Sequence, residues 1–358
     1  FDNKTKLVSI LNKVSSKKMF NSNYPYRSSM SKTMVSSFKK LSKKITKVYK
    51  PKLILEIGSN DGSFIRNFKK QETIGIEPCA NVEKITKKQK YNTYPEYWTC
   101  KLANKIIKQN GKVDLIYSAN TISHIKNLSE VFKAINLVLN ENGILILEDP
   151  SLLECLNRNT YDQFYNEHIY VFSTIALENI LKKHNLEIFK IDKLTVHGGS
   201  NRYFIKKKNN NIKTDISVIK HKKEELKKGL NKLSCYKKFA VRVKNSKKEL
   251  IKIFYRLKDD NKKIIGYGAT AKSTTILNYC KIDQNIIDYF LDTTKDKQDK
   301  FTPGTKIPIL KYKGSIDYDV DYIFLGAWNF KEEIFKKEKK FINRGGKFII
   351  HTPKPRIL

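Results

Sequence analysis

The stretch Leu53-Ile54-Leu55-Glu56-Ile57-Gly58-Ser59-Asn60-Asp61-Gly62 decides how this chain folds. Leu53 to Glu56 form a short apolar run that reads as a buried strand. Gly58 to Gly62 read as a tight turn, and Ser63 to Phe68 as a helix with apolar residues at helical spacing. Strand, glycine turn and helix are the opening of a βαβ unit.

Working outward, Thr73 to Glu77 is the second strand, Val113 to Tyr117 a third and Gly143 to Glu148 another, with a helix from Leu128 to Leu139 before the last. This alternation predicts a mostly parallel, doubly wound sheet. A charged stretch from Ile212 to Asp260 carries apolar residues mostly three or four apart, among them Leu226, Leu230, Leu233, Leu250 and Phe254. It predicts a long helix or helix pair joining two domains. Lys263 to Tyr267, the turn Gly268 to Lys272 and the helix Ser273 to Tyr279 start a second α/β unit. Its later strands are predicted at Ile286 to Leu291, Tyr322 to Leu325 and Lys347 to Ile350. The expected domains are an arm or lid over 1–48, a first α/β domain over 49–210, a helical linker over 211–260 and a second Rossmann-like domain over 261–358.

The chain has 358 residues, 40% hydrophobic, which suits folded domains rather than disorder. The formal charge of +36 comes from lysines spread along the whole chain, without Arg-rich clusters or a basic tail. That predicts a solvated lysine surface with no nucleic-acid footprint, and a positive field favourable to an anionic substrate. The five cysteines form no C-x-x-C pair, so no disulfide framework or zinc site is expected, and a reducing cytoplasm fits best. The longest apolar runs are strand-sized, so no membrane span is expected. The chain opens at Phe1 rather than Met, as a fragment or processed form would.

Glycines at 58 and 62 let the backbone pass close to a ligand, and Glu77, at the end of the next strand, is placed to accept ribose hydroxyls. The form here, Glu56-x-Gly58-x-x-x-Gly62, suits S-adenosylmethionine, which has no pyrophosphate. Asn60, Asp61 and Pro78 belong to the same segments, and Tyr117 to His124, Asn120 included, should border the cofactor at the carboxyl edge of the sheet. In the second unit, Gly266-Tyr267-Gly268-Ala269-Thr270-Ala271 with Asp292 fits the G-x-G-x-x-A form. It would either grip nucleotide phosphates, with Lys272, or be a structural vestige. Tyr165, Glu167 and His168 lie within four residues, a general base with orienting neighbours suited to removing a proton from carbon beside a ketone. His197-Gly198-Gly199-Ser200-Asn201-Arg202 is either an anion-contacting loop or a hairpin turn with a solvated arginine.

At these residues the sequence resembles the nucleotide-sugar C-methyltransferases, which methylate a ring carbon of keto-deoxysugars. The resemblance covers nearly the whole chain: the arm Tyr24-Pro25-Tyr26-Arg27-Ser28, the Glu56–Gly62 turn, Gly75 to Pro78, Tyr165 to His168, the His197–Ser200 loop and the Gly266–Lys272 turn. It implies a SAM-dependent methyltransferase domain in which His168 deprotonates the sugar carbon, Tyr165 and Glu167 position base or substrate, and Tyr26 closes over the site. It also implies that the carboxyl-terminal domain holds the nucleotide diphosphate. Family members begin with a small four-cysteine zinc domain, whereas no cysteine precedes Cys79 here. The arm is then a remnant of that module, no metal is expected, and the protein is expected to be a monomer or weak homodimer acting in the cytoplasm. The competing expectations are transfer to oxygen or nitrogen and, from another class, an NAD-dependent oxidoreductase or epimerase using the turn at Gly266.

Overall fold

The computed structural model describes residues 1–358, apart from the side chain of His197. The chain divides into two compact units, Phe1–Leu153 with Asn166–Leu233, and Glu154–Tyr165 with Ser234–Leu358.

In the first unit, β1 (Val8–Ser9), α1 (Ser16–Met19) and α2 (Lys32–Val48) precede the glycine-turn strand β2 (Ile54–Ile57). Then come β3 (Thr73–Ile76), α3 (Ala80–Lys88), β4 (Asn92–Tyr94), α4 (Cys100–Asn110), β5 (Val113–Ala119), α5 (Leu128–Val138) and β6 (Leu139–Pro150). Helix α6 (Leu152–Arg158) carries the chain into the Glu154–Tyr165 stretch of the second unit, and the first unit resumes with β7 (Tyr170–Val171), α7 (Thr174–Leu181), β8 (Leu186–Leu194), β9 (Ser200–Lys207) and α8 (Ile216–Lys228). The seven-stranded sheet runs β4-β3-β2-β5-β6-β9-β8. Its first five strands are parallel, β9 runs antiparallel to them, and β8 pairs antiparallel with β9. The helices start where side chains accept the free amides of the first turn: Thr99 for α4, Asn127 for α5 and Ser173 for α7.

The second unit contains α9 (Leu233–Asp259), β10 (Ile264–Tyr267), α10 (Ala271–Cys280), β11 (Phe290–Asp292), β12 (Lys300–Phe301) and β13 (Pro308–Lys311). It ends with β14 (Tyr322–Leu325), α11 (Lys331–Lys337), α12 (Lys339–Asn343), β15 (Lys347–Ile350) and β16 (Arg356–Ile357). Its sheet order is β12-β13-β11-β10-β14-β15-β16, parallel from β13 to β15 with an antiparallel strand at each edge.

Three sequence expectations are corrected. The helix expected over Ser63–Phe68 is a single 3-10 turn, Ile65–Asn67. The Asn67 side chain donates to the carbonyls of Ser63 and Phe64, and Arg66 to those of Gly62 and Asp61, taking acceptors that a continuing helix needs. Residues 1–48 are not all arm: α2 buries Met34, Phe38, Leu41 and Ile45 in one core cluster with Phe64, Tyr117, Ile146 and Phe204. The linker is likewise integral to the units. Val218 of α8 packs in the first unit's core, and Leu250, Phe254 and Leu257 of α9 in the second's, with Gly229 at φ +84° ending α8. Among the described residues, no helix is long and apolar enough to cross a membrane.

Candidate active site

The glycine turn leaves β2 at the carboxyl edge of the sheet, held by the amides of Gly58 and Ser59, which both donate to the carbonyl of Ile76 at 2.9 Å. Gly58, Asn60 and Gly62 all have positive φ (+77°, +48° and +76°). At Gly58 a Cβ would sit 2.2 Å from Thr121 Oγ1, so both conformation and space require glycine. Glu77, one residue beyond β3, fixes the turn: its Oε2 accepts the amide of Asn60 at 3.0 Å and its Oε1 the amide of Cys79 at 2.8 Å. Burial raises the Glu77 carboxyl above the ordinary range, with the two backbone donors opposing. Each oxygen keeps a further lone pair for a ligand hydroxyl. Glu56, buried on β2, is pushed well above the carboxylate range by desolvation, and its Oε2 has no partner.

The tyrosine-serine arm lies across this turn. Ser28 N donates to Asn60 Oδ1 at 2.9 Å and Ser29 N to Asp61 Oδ2 at 3.1 Å, while Asn60 Nδ2 donates to the Tyr26 carbonyl at 3.3 Å. Asn81 Nδ2 donates to the Tyr24 carbonyl, and Tyr24 OH to Glu167 Oε2 at 3.3 Å. Tyr26 keeps 44% of its surface exposed. Desolvation of its hydroxyl, with the charge of Asp61, raises its pKa against an opposing hydrogen bond with Ser28.

Next to the arm, three rings form a column: Phe20 over His124 at 5.6 Å, and His124 over His168 at 5.1 Å and 24°. Both histidines are buried. Desolvation lowers His124 to about 3, so it is uncharged at neutral pH, and its Nε2 has no partner. Asn120, at φ +49°, donates its amide to the Glu148 carbonyl at 2.8 Å, where β5 meets β6. Pro78 follows Glu77 into α3.

Sequence reasoning missed Asp149. It ends the apolar run of β6, is buried, accepts from Ser123 Oγ at 2.5 Å and is raised to about 7 by desolvation. An acid closing a parallel strand was the available signal. Phe20 and Tyr24 were legible only as parts of the arm.

Other expected site residues have committed partners. Arg202, expected to meet an anion or solvent, is buried on β9 and pairs with Glu148 Oε1 at 2.6 Å; the same oxygen accepts from Tyr117 OH at 3.0 Å. Gly198 and Gly199, at φ +85° and +116°, turn β8 into β9, and the side chain of His197 lies outside the described residues. In the second unit, a Cβ at Gly266 would meet the Phe290 ring at 2.4 Å, and Gly268 is at φ +83° against Ala327. Asp292 accepts the amides of Ala269 and Thr294 at 2.9 and 2.8 Å, and Lys297 Nζ lies 3.7 Å away. Lys272 sits 5.4 Å from the centre of the Trp328 ring, and desolvation lowers its pKa. Tyr165 is the last residue of the 154–165 stretch that belongs to the second unit.

A parallel sheet in this order, a glycine turn clamped by the acid of the neighbouring strand, and unpartnered polar atoms at Glu56, His124 and Asp149 fit a nucleoside ligand carrying hydroxyls and a charged centre. These features define an S-adenosylmethionine-dependent methyltransferase. A family described as a methyltransferase domain matches residues 26–191, and one described as the C-methyltransferase C-terminal domain matches residues 195–353. The C-methyltransferase NovU of Streptomyces niveus is 29% identical over 308 residues, 86% of this chain and 73% of that protein. A methyltransferase structure from Clostridium acetobutylicum matches 48% of this chain and 91% of its own at 16% identity and a TM-score of 0.37. The Synechocystis magnesium protoporphyrin IX methyltransferase, solved with SAM, matches 48% and 80% at 12% identity and 0.35. Along most of its length the chain is similar to C-methyltransferases, and its cofactor is S-adenosylmethionine.

Proposed function

We propose that this enzyme methylates the ring carbon adjacent to the ketone of a nucleotide-diphosphate keto-deoxysugar, with His168 as the general base. The observation that carries the reading is the His124–His168 stack, a buried imidazole beside a second ring that desolvation keeps uncharged. A neutral neighbour does not repel the imidazolium that forms when a base takes a proton from carbon. Glu167, tied to the arm through Tyr24, supplies negative charge close in sequence to that imidazolium. Tyr165 is read as orienting the base or the substrate, and Tyr26, with its exposed flank and desolvated hydroxyl, as covering the reacting centre.

When bound, S-adenosylmethionine supplies an electrophilic methyl group on a positively charged sulfur. Glu77 and the turn from Gly58 to Gly62 are read as its ribose and backbone contacts, with Glu56, Asn60, Asp61, Pro78, Asn120 and His124 around them. His168 breaks the carbon–hydrogen bond and keeps the proton, and the resulting enolate carbon is the nucleophile for that methyl. The sugar-nucleotide preference rests on the motif resemblance and on the excess of positive charge, which favours an anionic diphosphate.

The test is solvent exchange. In heavy water with a thymidine-diphospho-4-keto-6-deoxysugar, wild type should introduce deuterium next to the ketone and His168→Ala should not. Methylated product should then appear when S-adenosylmethionine is added. Absence of exchange by a wild-type protein that binds S-adenosylmethionine would move the acceptor to another carbon acid.

A further inference from the structure

The second unit holds a carboxylate where its fold would place a ligand. In a doubly wound sheet, ligands sit outside the carboxyl ends of the strands where the strand order reverses, here between β10 and β14. Lys272 opens α10 just after β10, Trp328 follows β14, and His351 directly follows β15. Into this crevice comes Asp162, from the Glu154–Tyr165 stretch that joins this unit from far away in sequence. Its carboxylate is wholly buried. Trp328 Nε1 donates to Asp162 Oδ2 at 2.6 Å, and His351 Nε2 lies 3.3 Å from Oδ1. Burial alone would push this carboxyl up. The neighbouring His351, followed by Lys272 and Trp328, outweighs it and holds the group below the ordinary carboxylate range.

The same stretch is docked along its length. Thr352 Oγ1 donates to the Arg158 carbonyl at 2.6 Å and Arg242 Nη2 to the Leu156 carbonyl at 2.7 Å. The Tyr161 ring lies edge-on to Tyr279 and His351, at 5.7 and 5.6 Å. A buried carboxylate surrounded by an indole N–H, an imidazole and an ammonium is what a bound phosphate would otherwise be in such a crevice.

We propose that Asp162 occupies the anion position of the second unit's own glycine-turn crevice, and that this internal anion fixes the segment leading to His168, making Asp162 a positioning residue for the base. Four residues after Asp162 the chain returns to the first unit at Asn166, and His168 follows two residues later, so freedom at Asp162 is passed to the base through a short tether. The positioning half of the proposal rests on His168 being the base; the anion pocket does not.

The experiment uses full-length Asp162→Ala with formate as the probe. Indole emission should respond saturably to formate in Asp162→Ala, and should not respond in wild type or in Asp162→Ala/Trp328→Phe. Turnover of Asp162→Ala should fall at least tenfold with S-adenosylmethionine affinity unchanged. It should recover several-fold with formate and not with chloride at equal ionic strength. A folded Asp162→Ala whose emission ignores formate overturns the anion pocket, and wild-type turnover in that variant overturns the positioning role. If Asp162→Ala does not fold, Asp162→Asn, equal in shape and without the charge, carries the test: kcat should drop while the KM for S-adenosylmethionine holds, and an unchanged kcat overturns the role. The emission readout needs no activity, so a failure of the proposed reaction and a failure of the pocket are separately visible.

Discussion

Glu77 Oε2 accepts the amide of Asn60 at 3.0 Å, so the acid at the end of β3 and the left-handed residue of the glycine turn form one unit. Replacing Glu77 by Gln puts an N–H₂ where one of two amide donors now points, and removes the acceptor proposed for the ribose. Hydrogen bonds to charged groups contribute about 1.5–3 kcal/mol, so S-adenosylmethionine affinity should fall roughly tenfold to a hundredfold. Calorimetric titration checks this, and unchanged affinity would remove Glu77 from the cofactor site.

Gly58→Ala should cost more than Gly111→Ala. Both positions have positive φ, +77° and +84°, and both substitutions incur backbone strain of about 1–3 kcal/mol. At Gly111 nothing lies within 4 Å of the added Cβ, whereas at Gly58 Thr121 Oγ1 is 2.2 Å away. The difference in urea midpoint between the variants isolates the clash, and Thr121→Ser should not relieve all of it because the Thr121 Cβ is itself 2.9 Å from the new atom. Equal midpoints would mean that the turn moves away from Thr121 at little cost.

Much of this was legible in the sequence, for local reasons. The run Leu53–Glu56 before glycines, and the heptad-like spacing from Leu128, carry their own periodicity, and both elements form within a residue or so of their expected bounds. What was not legible depends on distant partners. Helix α2 is lysine-rich, and its apolar positions 34, 38, 41 and 45 gain meaning only once Phe64 and Phe204 are packed against them. The edge hairpin β8–β9 turns through Gly198 and Gly199, whose loop was equally readable as an anion site. Nothing local assigns Glu154–Tyr165 to the second unit, since its partners Trp328 and His351 come more than a hundred residues later.

Glu148 and Arg202 face each other in register across β6 and β9 and pair at 2.6 Å in the interior. Removing one partner of such a pair leaves an uncompensated buried charge and costs about 3–5 kcal/mol. Arg202→Met should therefore lower the denaturation midpoint sharply, and Glu148→Gln/Arg202→Met should regain part of the loss. If Arg202→Met melts like wild type and instead raises the substrate KM, the arginine works on the substrate as the sequence alone suggested.

Asp149 and His124 make opposite contributions to stability against pH. Asp149 is raised from 3.8 to about 7, so its contribution is fully present below the unfolded value and is lost as pH rises through about 7. His124 is lowered from 6.5 to about 3, so its contribution is present above the unfolded value and is lost as pH falls through the folded one. The melting temperature of Asp149→Asn should rise relative to wild type from pH 4 to pH 7, and that of His124→Phe should rise relative to wild type as pH falls from 6.5 toward 3. Each shift is worth on the order of a few kcal/mol. Because the two effects oppose each other between pH 4 and pH 6.5, the wild-type curve should be flatter there than that of either variant. A wild-type curve steeper than both would show that neither buried group titrates as its surroundings require.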